Sequence, residues 1–480
     1  MNVDEAAAKA VDADQTSIWA PRYLLTTLGM GSLILLPAFE SLAVTTVMPA
    51  VSRDLGGEAL YGLAFGMVFA AGLIGMVLAG SWADRRGPRH PLFAALLVFA
   101  VGLLLAGLAQ SMPMLVLARA VQGIGGGALS VVIYVLVARI YPSALLPKVF
   151  AVFAAAWALP AVVGPFIAGM IAEQFHWRWV FLAVFLLLPL VLMLMLPGLK
   201  TQKTLSSGPQ VSSAPPAPWV KRAVWAVLAA LAMLVLGAAA EFAGGLAVLI
   251  AAAGLLGVVL TVRPLLPAGT LTARRGLPSM VLLRGMFSAA FSGTEVYLVL
   301  ALVDHYRFSP AVAGLSLTVS ALSWGLASQV QARTSTRVPH GLAVRIGAGL
   351  VCGAILAAVL ATALAWPPST LIVIWFFGGA GMGFGLPRLS TLTLAEAPEG
   401  AQGAVGSALS MADSIGAAAS LAIIGVVFGF VNSLRPMGPG ADGLWPVFAA
   451  LAVAAVFGVL AVLASGRTAV RKPYPVGMAE

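Results

Sequence analysis

Residues 59–110 read ALYGLAFGMVFAAGLIGMVLAGSWADRRGPRHPLFAALLVFAVGLLLAGLAQ. Two apolar runs, 59–82 and 91–110, flank the short basic loop Ala83-Asp84-Arg85-Arg86-Gly87-Pro88-Arg89-His90. At about 1.5 Å of rise per residue, either run as a helix crosses the roughly 30 Å hydrocarbon core of a bilayer. The loop leaves room only for a tight turn, so the stretch predicts a helical hairpin spanning a membrane.

The same alternation continues in both directions. Of 480 residues, 61% are hydrophobic and 9% charged, against about 45–50% apolar and about 25% charged in a soluble domain. That balance excludes a soluble enzyme, a secreted domain, a nucleic-acid binder and a disordered chain. Apolar runs predict six spans at 23–48, 59–82, 91–110, 113–138, 148–172 and 179–197. Residues 223–262 are long enough for two more, broken at Glu241 to Gly245. Six further spans follow at 279–303, 310–330, 341–366, 369–395, 403–431 and 444–465. The expected organisation is a tail (1–22), six spans (23–197), a Ser- and Pro-rich linker (198–222), a two-span hairpin (223–262), a loop (263–278), six spans (279–465) and a tail (466–480). The fold class is an all-α polytopic membrane protein with fourteen transmembrane helices.

Lys and Arg collect in cytoplasmic loops. With the N-terminus inside, 21 of the 27 bases fall in inner segments, four in outer ones (Arg53, Arg178, Arg307, Arg435), and Arg119 and Arg388 lie within spans. Both termini are therefore expected in the cytoplasm, with the protein multi-pass in the inner (plasma) membrane. The net charge of +10 is a topology signal that needs no nucleic acid. One cysteine, Cys352, and four scattered histidines offer no disulfide and no metal-ligand spacing. A Walker-type phosphate loop is absent, so no cofactor is expected and the energy source is expected to be an ion gradient.

Three stretches carry more than topology. The inner loop holds one acid among bases and glycines: Gly80, Asp84, Arg85, Gly87, Arg89. The fourth span holds Arg119 with Gln122, Gly123, Gly125, Gly126 and Gly127 after it. An arginine there faces a partner or water, or else snorkels to the interface. The fifth span holds Pro160, Gly164, Pro165 and Gly169, a bent, small-residue face that suits either a gate or a structural kink.

In order and placement these resemble motifs A, B and C of the major facilitator superfamily, and six plus two plus six spans is similar to its fourteen-helix drug:proton antiporter branch. Pro160 stands where motif C usually opens with glycine, and Glu40 where that branch's first span carries aspartate. The resemblance implies two pseudo-symmetric six-helix bundles, spans 1, 4, 9 and 12 around a cavity, and an extra hairpin set apart.

Two membrane acids, Glu40 and Glu295, fall at matching depth on spans 1 and 9, with Arg119 at a similar level, so one cavity could hold all three. Desolvation tightens a carboxylate's hold on its proton and a nearby guanidinium loosens it, which suits a switchable proton site. Alternatively, each acid simply bonds neighbouring Ser or Thr hydroxyls. Asp413 in span 13 is a further candidate. The expected function is a proton-coupled exporter (antiporter) of amphipathic small molecules or drugs, cations among them, working by alternating access, as a monomer and not as an enzyme. Its partners are the bilayer, the cargo and protons. A lipid or metabolite exporter on the same fold is the runner-up.

Overall fold

A computed structural model describes residues 17–142, 145–205, 219–242, 244–334, 337–396, 402–437 and 441–468. Among the described residues there are no strands, and fourteen helices are long and apolar enough to span a bilayer. They are α1 (Pro21–Asp54), α2 (Tyr61–Arg86), α3 (Arg89–Gly107), α4 (Met112–Ile140), α5 (Leu146–Gln174), α6 (Arg178–Leu205), α7 (Trp219–Ala238), α8 (Gly244–Val262), α9 (Leu277–Leu300), α10 (Pro310–Arg333), α11 (His340–Ala363), α12 (Pro368–Ala395), α13 (Gln402–Leu434) and α14 (Trp445–Ser465).

The helices start and stop where local chemistry allows. Ser111 and Ser309 accept hydrogen bonds from the Met114 and Val312 amides, each followed by a helical first turn with proline. Gly87, at φ +77°, turns the chain from α2 into α3 in two residues, a backbone state glycine reaches without strain. Several expected boundaries shift by a few residues, and α7 already begins at Trp219 within the segment assigned to the linker. Helix α1 runs on to Asp54, and α6 continues to Leu205 inside the segment assigned to the linker. Lys200 to Leu205 contains neither Gly nor Pro, so nothing in it breaks a helix. Most of the linker (206–218) and of both tails (1–16, 469–480) lies outside the described residues.

Packing follows an internal repeat. Helix α1 packs on α5 and α6, and α4 on α2 and α3; in the second half α9 packs on α13 and α14, and α12 on α10 and α11. The same pairing with an offset of eight helices defines two equivalent bundles, α1–α6 and α9–α14. Between helices in lipid, close backbone approach supplies the stabilisation that the hydrophobic effect supplies in water. Added Cβ atoms at Gly123 and Gly125 would lie 2.3 Å from backbone atoms of Val68 and Phe99, so these glycines seat α4 directly on α2 and α3.

The bundles meet at two seams, α5 with α10 and α2 with α13, which the repeat relates to one another. The α7–α8 hairpin packs on α2 and α13 and thus covers one seam only. Four links between the bundles lie in the half opposite the termini, called distal below. Tyr61 donates to the Val296 carbonyl (3.2 Å), Thr318 to the Val162 carbonyl (3.1 Å), and the Ala311 amide to Glu173 (3.3 Å). Arg53 pairs with Asp304 at 3.3 Å. Toward the termini Trp157 is 53% exposed and a side chain at Gly325 would meet nothing within 4 Å. The molecule is closed distally.

Candidate functional site

Measured from Pro21 and Leu277, Glu40 and Glu295 both stand roughly 27–29 Å along their helices, as the repeat requires. Their surroundings differ. Arg119 Nη1 donates to both Glu40 Oε1 and Gln122 Oε1, the latter at 2.6 Å, and Nε reaches the Ala64 carbonyl at 3.4 Å. Glu40 and Arg119 are each 3% exposed, and the guanidinium lies 5.9 Å from the Phe181 ring centroid. The pair ties α1 to α4 inside the first bundle. A lone buried charge in such a place costs several kcal/mol, so each residue makes the other tolerable.

Glu295 has no such partner. It is half-buried beside aromatic rings, and no Lys or Arg bridges it among the described residues. Phe291, one turn earlier, stacks on Trp375 of α12 at 4.9 Å and meets Trp324 of α10 edge-on at 5.6 Å. The Trp375 indole nitrogen lies beside the Glu295 carboxyl group without completing a hydrogen bond of normal geometry. An acid, an unsatisfied donor and three rings thus come together from three helices of the second bundle.

The structure brings Glu40 and Arg119 into contact. Glu295 makes no hydrogen bond or ion pair with either among the described residues and lies against the aromatic cluster. Neighbouring hydroxyls do not serve the acids: Thr45 and Thr294 donate to carbonyls on their own helices, Ser41 and Ala290. Asp413 is held by Arg284 Nη2, whose other nitrogen contacts Ser390 Oγ at 3.4 Å. Arg284 is a residue the sequence reading missed, counted as a loop base although it sits in α9. The available signal was its place inside the apolar span 279–303 rather than in the loop before it.

By sequence Asp304 stands at an outer helix end, where a carboxylate is expected to be solvated, and Trp177 near another, where an indole is expected to anchor at the membrane interface; the structure corrects both. Asp304 is 8% exposed rather than solvated, because a π-helical turn, Ala301–His305, extends α9 and carries it onto Arg53. Trp177 is 4% exposed, not an interfacial anchor, and its indole donates to Asp54 at 2.9 Å. Arg388, 2% exposed, reaches His340 Nδ1 and the Gln331 carbonyl, both at 3.1 Å.

The loop and proline motifs divide the work. Arg85 stacks over Trp219 at 4.7 Å and so touches the extra hairpin. Arg89 opens α3, and Gly80 lies in α2. The side chain of Asp84 lies outside the described part of the structure. Pro165 fills the space a side chain at Gly314 would need, 2.8 Å away, and Gly169 sits where its Cβ would be 2.4 Å from Ala311 Cα. Gly164 faces Phe39 of α1, and Pro160 stays within the helix. The bent face of α5 is thus one side of a bundle-to-bundle seam.

Two equivalent six-helix bundles, closed across paired seams at one end, define a membrane transporter fold. Residues 29–421 match the Major Facilitator Superfamily, and the chain belongs to that family. It is 27% identical over 469 residues to a probable multidrug-efflux transporter of Mycobacterium tuberculosis, covering 92% of this chain and 96% of the relative. Multidrug resistance protein 3 of Bacillus subtilis is 32% identical over 148 residues, 31% of this chain and 29% of that protein. Among solved structures, a POT family peptide transporter in complex with alafosfalin superposes with a TM-score of 0.67 at 17% identity, covering 96% and 99% of the two chains. A D-xylose-proton symporter does so at 0.59 and 18%, covering 92% and 96%. At those identities the likeness is one of fold.

Proposed function

We propose that the protein is a proton-coupled antiporter that exports amphipathic organic cations from the cytoplasm by alternating access. The observation that carries this reading is Glu295, an acid without a basic partner at the edge of the Phe291–Trp324–Trp375 cluster. Such a carboxylate holds a proton or an organic cation, and binding one displaces the other. The rings supply apolar contact and attract positive charge through their faces. Multidrug efflux in the name of the 27%-identical relative supports the same direction and cargo.

In this cycle the distally closed form faces the cytoplasm, the side to which charge assigns both termini. Cargo reaches Glu295 and displaces its proton inward. The distal seams then part, cargo leaves, and a proton from outside reloads the acid and favours the return. Glu40 and Arg119 neutralise each other and serve as the fixed brace between α1 and α4. The protein works as a monomer in the plasma membrane, driven by the proton gradient.

The test uses energised inverted vesicles and ethidium as the cation. Wild type is expected to release lumenal protons when ethidium is added, and Glu295→Gln to lose at least nine-tenths of that release. Full release in the variant would remove Glu295 as the exchange site. Proton flow into the lumen together with ethidium would overturn antiport.

A further inference from the structure

Outside the bundle seams, a groove of about 420 Å³ opens between α2, α3, α4 and the start of α7. Its walls are apolar, with Leu78, Val98 and Ile124 among them, and its mouth carries Trp82, Trp219, Arg85 and Arg86. The two arginines are exposed and make no ion pair among the described residues; Arg85 is held in place by its stack on Trp219. Lys221 and Arg222 follow Trp219 on the same helix end, both exposed. Cationic groups at the mouth, tryptophans beside them and hydrocarbon behind are the order of chemistry met on entering a leaflet from the polar side.

We infer that this groove is a binding site for an anionic phospholipid of the termini-side leaflet, with its phosphate on Arg85 and Arg86 and an acyl chain along Leu78, Val98 and Ile124. Charge complementarity selects the occupant. Guanidinium groups give a phosphate directed, charge-assisted hydrogen bonds, and an anionic headgroup gains about fivefold in affinity for each base near it relative to a neutral one. Trp219 belongs to the extra hairpin, so the hairpin completes the site against the first bundle. The lipid would then bridge the α2–α3 loop and α7.

Native mass spectrometry of the full-length chain in detergent, titrated with phosphatidylglycerol and phosphatidylcholine together, tests the site. Wild type is expected to retain one phosphatidylglycerol in preference to phosphatidylcholine. Arg86→Gln, which spares the Arg85–Trp219 stack, should lower that preference about fivefold. Ala94→Trp, which fills the groove without changing charge, should lower retention of phosphatidylglycerol as well. Equal retention of the two lipids by wild type would overturn the inference. So would an unchanged preference in Arg86→Gln, or wild-type retention by a monodisperse Ala94→Trp chain.

Discussion

A glutamate and an arginine, each 3% exposed inside a membrane bundle, persist only because each neutralises the other. Removing one partner leaves the other charge buried, which costs about 3–5 kcal/mol. Glu40→Gln alone is therefore expected to lower the unfolding midpoint of the detergent-solubilised protein sharply. The double variant Glu40→Gln/Arg119→Gln should recover most of the loss, which thermal unfolding followed by size-exclusion chromatography reads. If Glu40 were the exchange site with Arg119 only nearby, the double variant would be no more stable than the single one. Glu295→Gln leaves no orphaned cation and should unfold within a few degrees of wild type while losing exchange. Stability and transport thus separate the two glutamates that sequence position alone made look alike.

Between helices, the distal closure rests on a few polar links and on side-chain-free contacts. Arg53–Asp304 joins α1 to the π-helical end of α9, and Ser52, 1% exposed, lines a small pocket together with Asp304. Asp304→Asn removes the charge and should favour the distally open form. A Ser52→Cys reporter in a Cys352→Ala background should then react at least fivefold faster with a membrane-impermeant maleimide applied from the distal side. An unchanged rate would show that the ion pair does not hold the gate. The α5–α10 seam leaves less tolerance. At Gly169 even a Cβ falls 2.4 Å from Ala311 Cα, so Gly169→Leu should prevent distal closure. The expected result is rapid labelling of the same reporter and no proton release on adding ethidium.

At the scale of the whole molecule, the hairpin breaks the symmetry that the bundles keep. A side chain at Gly237 would strike Leu63 of α2 at 2.5 Å, and one at Gly429 of α13 would meet Ala240 at 3.2 Å. The hairpin thus touches both bundles across the α2–α13 seam and leaves α5–α10 uncovered. If it travels with the first bundle, a disulfide between Leu63→Cys and Gly237→Cys should leave ethidium-driven proton release intact. One between Ala240→Cys and Gly429→Cys should stop it, with reduction restoring the rate. Loss of transport in both cross-linked forms would show that the hairpin moves independently of either bundle.

The number of spans was legible in the order of residues, because a bilayer admits only helices whose backbone bonds are satisfied within the segment; the pairing of the halves came with the resemblance that the three motifs carry. Hydropathy and basic loops register that constraint one segment at a time, so each span was read from its own apolar run and from the charge of the loops beside it. Charges left inside spans were legible too, since lipid makes each of them an exception. Which exception meets which was decided by tertiary packing alone. Arg119 chose Glu40 over Glu295 because α4 and α1 belong to one bundle. Arg284 looked like a loop base until α9 lay beside α13, and Asp304 looked solvated until a π turn carried it onto Arg53. Depth along a helix follows from counting residues; the face a residue presents, and the neighbour it meets there, follow from how the helices are rotated and seated. In this protein glycines and prolines at the seams set that seating.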